Sequence, residues 1–252
     1  MDLFANEFLG TAVFAALGVA VACSARLART AGNGMPHAAL AAGWGAALAA
    51  GLFAARRGDV HLNPAVTLAA WMLDRGTGAD AASRLGGQFA GMAAGMLLAA
   101  LAFLPQLARS PDRAAEAMWR TPEVRAPLSN LLSSAVASGI LAFVMLRLAC
   151  GVAIPGDPAE LGEAIQTLPP YALTHRAESA LLAGTALFAV LAGFGGAGTP
   201  VLAGMGIVGR AVHAAMPLAG KLRTDWRDAW LSLAGPALGA VAAAWAWRAV
   251  VE

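Results

Sequence analysis

The sequence predicts an all-α membrane protein in which six transmembrane helices and two re-entrant half-helices form an inverted repeat. Only 13% of the 252 residues are charged and 59% are hydrophobic, whereas an average soluble domain carries about 25% charged residues. Six apolar segments have roughly the 20 residues that a membrane-spanning helix requires. Two further apolar segments are too short to span, and their matched places in the two halves are typical of an inverted repeat.

The six long segments are each bounded by Arg, Asp, Pro or Gly, residues that commonly flank apolar helices. They cover about residues 8–25, 37–55, 81–104, 128–150, 177–195 and 229–250. We therefore predict one transmembrane domain over residues 1–252, with a first repeat at about 1–104 and a second at about 128–252. The acids Asp2 and Glu7, with no basic residue before the first apolar run, argue against a cleavable signal peptide.

Charge and cysteine content argue against several other classes of function. The formal net charge of +2 is too small to indicate a nucleic-acid partner. Cys23 and Cys150 lie near predicted helix ends without the spacing of a disulfide or a metal site. No nucleophile–base pair or metal triad lies within the predicted spans, so we expect neither an enzyme nor a bound cofactor.

The short segments, at about residues 63–73 and 202–216, are predicted to be half-helices. The first begins in the run His61-Leu62-Asn63-Pro64-Ala65, where Asn suits the helix cap and Pro the first helical position. A half-helix that begins inside a membrane points its positive end at the pore centre. Cations and protons are thereby disfavoured, whereas neutral solutes are not. The Asn63 carboxamide would donate hydrogen bonds to a passing oxygen.

Small residues predict close helix contacts. Gly87, Gly91 and Gly95 repeat at four-residue spacing in the third long segment, and Gly235 and Gly239 do so in the sixth. Such faces let helices approach closely in lipid. We expect these contacts within one subunit rather than between subunits.

The run His61-Leu62-Asn63-Pro64-Ala65, which follows an apolar span, resembles the aquaporin and glycerol-facilitator family. The resemblance extends from Glu7 to the end of the chain, and the tail after Arg210 looks like bacterial members. It implies an aquaporin-like fold in the cell membrane, assembly as a homotetramer, and a passive channel for water or small neutral solutes such as glycerol. Further residues that look like the family's signatures are Gly10 and Thr11 in the first helix and Gln88 and Gly91 in the third. A buried Glu7 is costly unless paired, so we expect it to brace loop backbone.

The second half departs from the family pattern, which repeats Asn-Pro-Ala and follows it with Arg. Alignment on the flanking Gly198 and Arg210 puts Leu202-Ala203-Gly204 in place of Asn-Pro-Ala and Met205 in place of Arg. Alignment on Pro instead gives Thr199-Pro200-Val201 followed by Leu202. We prefer the first alignment because both flanks agree. Ser134 stands where an acid would mirror Glu7.

These replacements predict a more apolar constriction. The resemblance implies that Trp44, Thr199 and Met205 line it, with Leu202 close by. Trp44 is also compatible with an anchor at the membrane interface, where Trp is enriched. A non-conducting or regulatory scaffold, plugged by Leu202 and Met205, is therefore the alternative to a channel.

The four histidines are not predicted to bind a metal, because no second ligand lies near His61 in the sequence. His61 is expected to be structural. The other three, His37, His175 and His213, lie at predicted helix or loop edges and are expected to face water. The connection at 151–176 is expected to be an untethered loop.

Overall fold

The computed structural model describes residues 2–55, 60–119, 124–149, 170–195 and 202–251. Regular structure in these ranges is helical throughout. Six helices are long and apolar enough to cross a membrane: α1 (Leu3–Arg26), α2 (His37–Ala54), α4 (Gly78–Ala102), α7 (Pro127–Ala149), α8 (Pro170–Phe194) and α10 (Leu231–Val250). The predicted spans are confirmed, and the largest differences are at the starts of α1 and α8. Of the predicted connection at 151–176, residues 151–169 lie outside the described residues, and residues 170–176 belong to the start of α8 rather than to a loop.

Glycines let α1 and α4 pack side by side and in parallel. A methyl group on Gly91 would lie 2.6 Å from the carbonyl oxygen of Phe8 on α1. Gly87 and Gly95 meet α1 one turn to either side of that contact. The glycine face therefore packs within the chain, as predicted.

The second half repeats this arrangement with α7 and α10. A methyl group on Gly235 would overlap the side chain of Ser134, and one on Gly239 would lie 2.5 Å from the carbonyl oxygen of Ala135. These contacts also run in parallel along the two helices. The first and third long helices of each half are thus joined by the same kind of small-residue contact.

Two short helices, α5 (Leu104–Arg109) and α6 (Ala114–Met118), lie in the connection between the halves. They were not predicted, because helices of one to two turns are too short to show an apolar period. Leu107 and Met118 are buried in the main core. Helix α6 packs against α1 and the second half-helix, so this connection covers the end of the bundle where α1 ends.

The two half-helices, α3 (Pro64–Met72) and α9 (Met205–Ala215), begin differently. The Asn63 Oδ1 accepts from the Ala65 N–H at 3.0 Å, and Pro64 lies in the first turn, as predicted. The second half-helix begins at Met205, after rather than within the predicted start Leu202-Ala203-Gly204. Those residues form a turn in which Gly204 has φ 77° and no side chain caps the helix. The prediction was wrong because Leu and Ala supply no capping oxygen, whereas glycine readily adopts a positive φ.

Candidate functional site: the half-helix at Asn63 and the cavity near Trp44

Asn63 presents an unused hydrogen-bond donor inside the bundle. The residue is only 3% exposed. Its Oδ1 is occupied in capping α3, while its Nδ2 has no hydrogen-bond partner in the described part of the chain. A buried amide without a partner is costly. A solute oxygen at the positive end of α3 would satisfy this donor.

Glu7 fixes the loop that leads into Asn63. Its carboxylate is fully buried and accepts the backbone N–H groups of His61 and Leu62, both at 2.8 Å. Gln88 Nε2 and Arg84 Nη1 each donate to the same carboxylate at 3.0 Å. Four donors and one ion pair offset the cost of burying the charge. The expectation that Glu7 braces loop backbone is therefore confirmed.

Leu62 and Thr67 complete this support. Leu62 has φ 50°, a left-handed conformation that costs a non-glycine residue roughly 1–2 kcal/mol. Its side chain is buried against Gly10 and Gly51, where no Cβ intervenes. Thr67 Oγ1 lies 3.0 Å from His61 Nδ1 and accepts from Gln88 Nε2 at 2.9 Å. The ring of His61 is thus held by Thr67, a contact that the sequence did not predict.

A cavity of about 450 Å³ opens at the end of the bundle where α1 ends. Trp44, Leu202 and Met205 line it together, so three of the predicted constriction residues meet. Asn63 is not part of its lining. Thr199, the fourth residue of that prediction, lies outside the described residues.

The ring of Trp44 points into the bundle. It contacts Gly18 so closely that a methyl group there would overlap it, and it meets the Phe14 ring edge-on at 5.7 Å. This position disagrees with an anchor among lipid headgroups. His37 begins the same helix, is half-buried and lies 2.9 Å from the Leu191 carbonyl oxygen, so it does not simply face water.

The loop after α9 is fixed by Arg210 and Asp225. Arg210 is 2% exposed. Its Nε donates to the Asp225 carbonyl oxygen at 2.6 Å, and its guanidinium carbon lies 5.2 Å from the Trp119 ring. His213 is fully buried, with Nδ1 2.8 Å from Thr224 Oγ1 and its ring edge-on to Trp119. The expectation that His213 faces water was wrong, because the loop after α9 folds back over it. The side chain of His175 lies outside the described part.

Asp225 also carries charge at the rim of the cavity. The Arg227 side chain donates to its carboxylate at 2.8 and 3.1 Å, and Arg125 donates at 2.8 Å. These hydrogen bonds, those from Arg227 first, hold the pKa of Asp225 well below its usual range. The ionised Asp225 carboxylate therefore stabilises the folded protein above the usual carboxyl pKa of about 4. This stabilisation is lost as the pH falls through the lowered pKa of Asp225.

Comparison with known proteins decides the family. The model of the major intrinsic protein family matches residues 2–247. The chain belongs to the major intrinsic protein family. A probable glycerol uptake facilitator protein of Thermotoga maritima is 25% identical over 96% of both chains. A glycerol uptake facilitator protein of Streptococcus pneumoniae is 30% identical over 58% of this chain and 64% of its own length. The X-ray structure of the aquaglyceroporin from Plasmodium falciparum has the same fold, with a TM-score of 0.75 at 19% identity, covering 98% of this chain and 95% of that chain.

This member of the major intrinsic protein family is a multi-pass membrane protein. Ser134 is fully buried where the resemblance implies an acid. In the second half, the Gly204 N–H is held by the carbonyl oxygen of Ser232 at 2.8 Å. The loop before α3 is therefore held by a carboxylate, and the described part of the turn before α9 includes a backbone hydrogen bond.

Proposed function

We propose that the chain is a passive channel for water and small neutral solutes such as glycerol. The observation that carries this proposal is the buried, unused Nδ2 of Asn63 at the start of α3, within a bundle of six spanning helices. Such a donor serves an uncharged solute that must shed its water to cross. The names of the relatives, glycerol uptake facilitators, support the same substrate class.

We further propose that Trp44, Leu202 and Met205, with Thr199, form the constriction. All three described members of this set line the cavity. Met205 replaces a fixed cation with a thioether, and Leu202 replaces a second amide donor. The cavity therefore presents aromatic and apolar walls that suit the carbon face of a polyol, while the amide of Asn63 lies outside its lining. The pathway also lacks the fixed cation, which would repel protons, and the second amide, which would interrupt the file of water along which protons hop.

Stopped-flow light scattering on liposomes that contain the purified protein tests the channel. We expect water and glycerol to enter faster than in protein-free liposomes, without any energy source. The matched variant is Asn63→Asp, because aspartate keeps the capping oxygen but replaces the Nδ2 donor with a negative charge. We expect slower glycerol entry in this variant. Folded wild-type protein that conducts neither solute would instead support the non-conducting scaffold.

A homotetramer, implied by the family resemblance, is also proposed. One face of α7 carries exposed apolar side chains at four-residue spacing, which suits contact with lipid or another copy. They are Leu128, Leu132, Val136 and Ile140. Native mass spectrometry of the detergent-solubilised protein tests this proposal, and a mass of one chain at all protein concentrations would contradict it.

A further inference from the structure

Two arginines lie over one buried tryptophan at the end of the bundle where α7 and α10 end, and a third follows it in the chain. Trp247 lies in the last turn of α10 and is 3% exposed. The guanidinium carbons of Arg75 and Arg147 lie 4.3 and 5.5 Å from the centre of its ring. Arg248, the next residue, donates from Nη2 to the Met72 carbonyl oxygen at 2.8 Å. The loop after α3 and the last turns of α7 and α10 thus each supply one cation.

Within the described part of the chain, the positive charge of this cluster is poorly balanced. Among the described residues, Arg75 and Arg147 make no hydrogen bond or ion pair through their guanidinium groups. Arg248 has Asp74 at 3.7 Å, but the Asp74 side chain is 94% exposed, and such long, exposed pairs contribute little. The face of an indole ring attracts cations, yet two like charges on one ring still repel each other.

The helix dipole accounts for only part of this arrangement. Cations are favoured at the carboxyl ends of helices, which suits Arg147 and Arg248 in the last turns of α7 and α10. Arg75 lies outside any helix, in the turn that follows α3 and directly after Asp74, whose φ is 57°. Arg75 therefore adds a third cation near two helix ends that Arg147 and Arg248 already complement. An anion shared by the guanidinium groups would balance the cluster.

We propose that Arg75, Arg147 and Arg248 form a binding site for a phosphate group at the membrane border. Guanidinium groups pair with phosphate oxygens through two parallel N–H donors, a geometry that ammonium groups lack. Basic sites between the ends of transmembrane helices suit phospholipid headgroups. The phosphate belongs to an anionic lipid or to a soluble phosphate, and the site is independent of the proposed transport function.

The test uses the full chain in detergent and compares two double variants of equal charge. Arg75→Gln/Arg147→Gln removes the two cations on Trp247. Arg29→Gln/Arg109→Gln removes two exposed arginines near the opposite end of the bundle. In one arm, native mass spectrometry counts the phosphatidylglycerol and phosphatidylcholine retained from mixed micelles. In the other arm, inorganic phosphate is titrated at constant ionic strength while the unfolding temperature is measured.

If the ligand is a lipid headgroup, we expect the wild type and the control variant to retain phosphatidylglycerol preferentially. We expect the affinity of the Arg75→Gln/Arg147→Gln variant for this lipid to fall about tenfold or more. For a soluble phosphate, we expect inorganic phosphate to raise the unfolding temperature of the wild type and the control only. The proposal would be overturned if the two double variants bound both phosphatidylglycerol and inorganic phosphate equally, whether both variants bind these ligands or neither does. If the glutamine variant does not fold, Arg75→Lys/Arg147→Lys keeps the charge but lacks the planar fork, and unchanged binding in it would overturn the proposal as well.

Discussion

Glu7 is the single residue on which the geometry around Asn63 most depends. Its carboxylate fixes two consecutive backbone N–H groups, those of His61 and Leu62, directly before the cap of α3. The sequence predicted this role because a charge inside an apolar helix requires partners. It did not predict the left-handed conformation of Leu62 or the contacts of Thr67. Both depend on the path of the loop, which no residue pattern here specifies.

Replacement of Glu7 by Gln is expected to destabilise the protein by about 3–5 kcal/mol, the usual cost of breaking a buried ion pair. Glutamine offers one acceptor oxygen instead of two, and its NH₂ group would face an N–H donor. Thermal unfolding in detergent, followed by circular dichroism, measures the effect. Glu116→Gln is the matched control, because Glu116 is exposed. Equal unfolding temperatures for the two variants would contradict the assigned role of Glu7.

At the scale of helices, the apolar length of each segment was enough to predict the spans, whereas the starts of shorter elements were not. Helix α3 begins at an asparagine cap followed by proline, and the prediction there was correct. Helix α9 begins after a left-handed Gly204 without a side-chain cap. A turn of this kind has no strong signal when its neighbours are Leu and Ala. The short helices α5 and α6 are stabilised by burial in the tertiary structure rather than by their own apolar period.

The glycine contact between α1 and α4 predicts a position-specific effect of a methyl group. In Gly91→Ala the added Cβ would lie 2.6 Å from the Phe8 carbonyl oxygen, which moves only if the helices separate. We expect a loss of about 1–3 kcal/mol, the usual cost of overpacking. Gly193→Ala on α8 is the matched control, because a Cβ there meets no atom within 4 Å and alanine favours helix by about 1 kcal/mol. Equal or greater unfolding stability in Gly91→Ala would refute the close-packing argument.

At the scale of the whole molecule, the fold is that of the family, whereas the charges along the proposed pathway differ from the family pattern. The helices, their pairing and both half-helices are present, so the sequence was sufficient for the architecture. The residues proposed to form the constriction are brought together only in part by the structure. Trp44, Leu202 and Met205 meet at one cavity as expected, but the family pattern that would assign roles to Leu202 and Met205 is replaced at those two positions.

The loss of the fixed cation predicts weak exclusion of protons. In liposomes with a lumenal pH dye and an imposed pH gradient, we expect protons to enter faster with the protein than without it. Met205→Arg is expected to slow this entry about tenfold or more, since each 1.4 kcal/mol added to a barrier is a factor of ten. Leu222→Arg, which adds the same charge at an exposed position on the cavity, is expected to have a smaller effect. Water flux without proton entry in the wild type would argue against this prediction.

The most direct test of the central claim, that neutral solutes cross the membrane past Met205, is thiol block of glycerol flux. Cys23 and Cys150 are replaced by Ala, and Met205→Cys is compared with Leu181→Cys, whose position on α8 is 63% exposed on the outside of the bundle. The account predicts that a membrane-impermeant methanethiosulfonate reagent cuts glycerol entry several-fold in the Met205→Cys protein and leaves the Leu181→Cys protein unaffected. Complete labelling at position 205 with undiminished glycerol entry would contradict it.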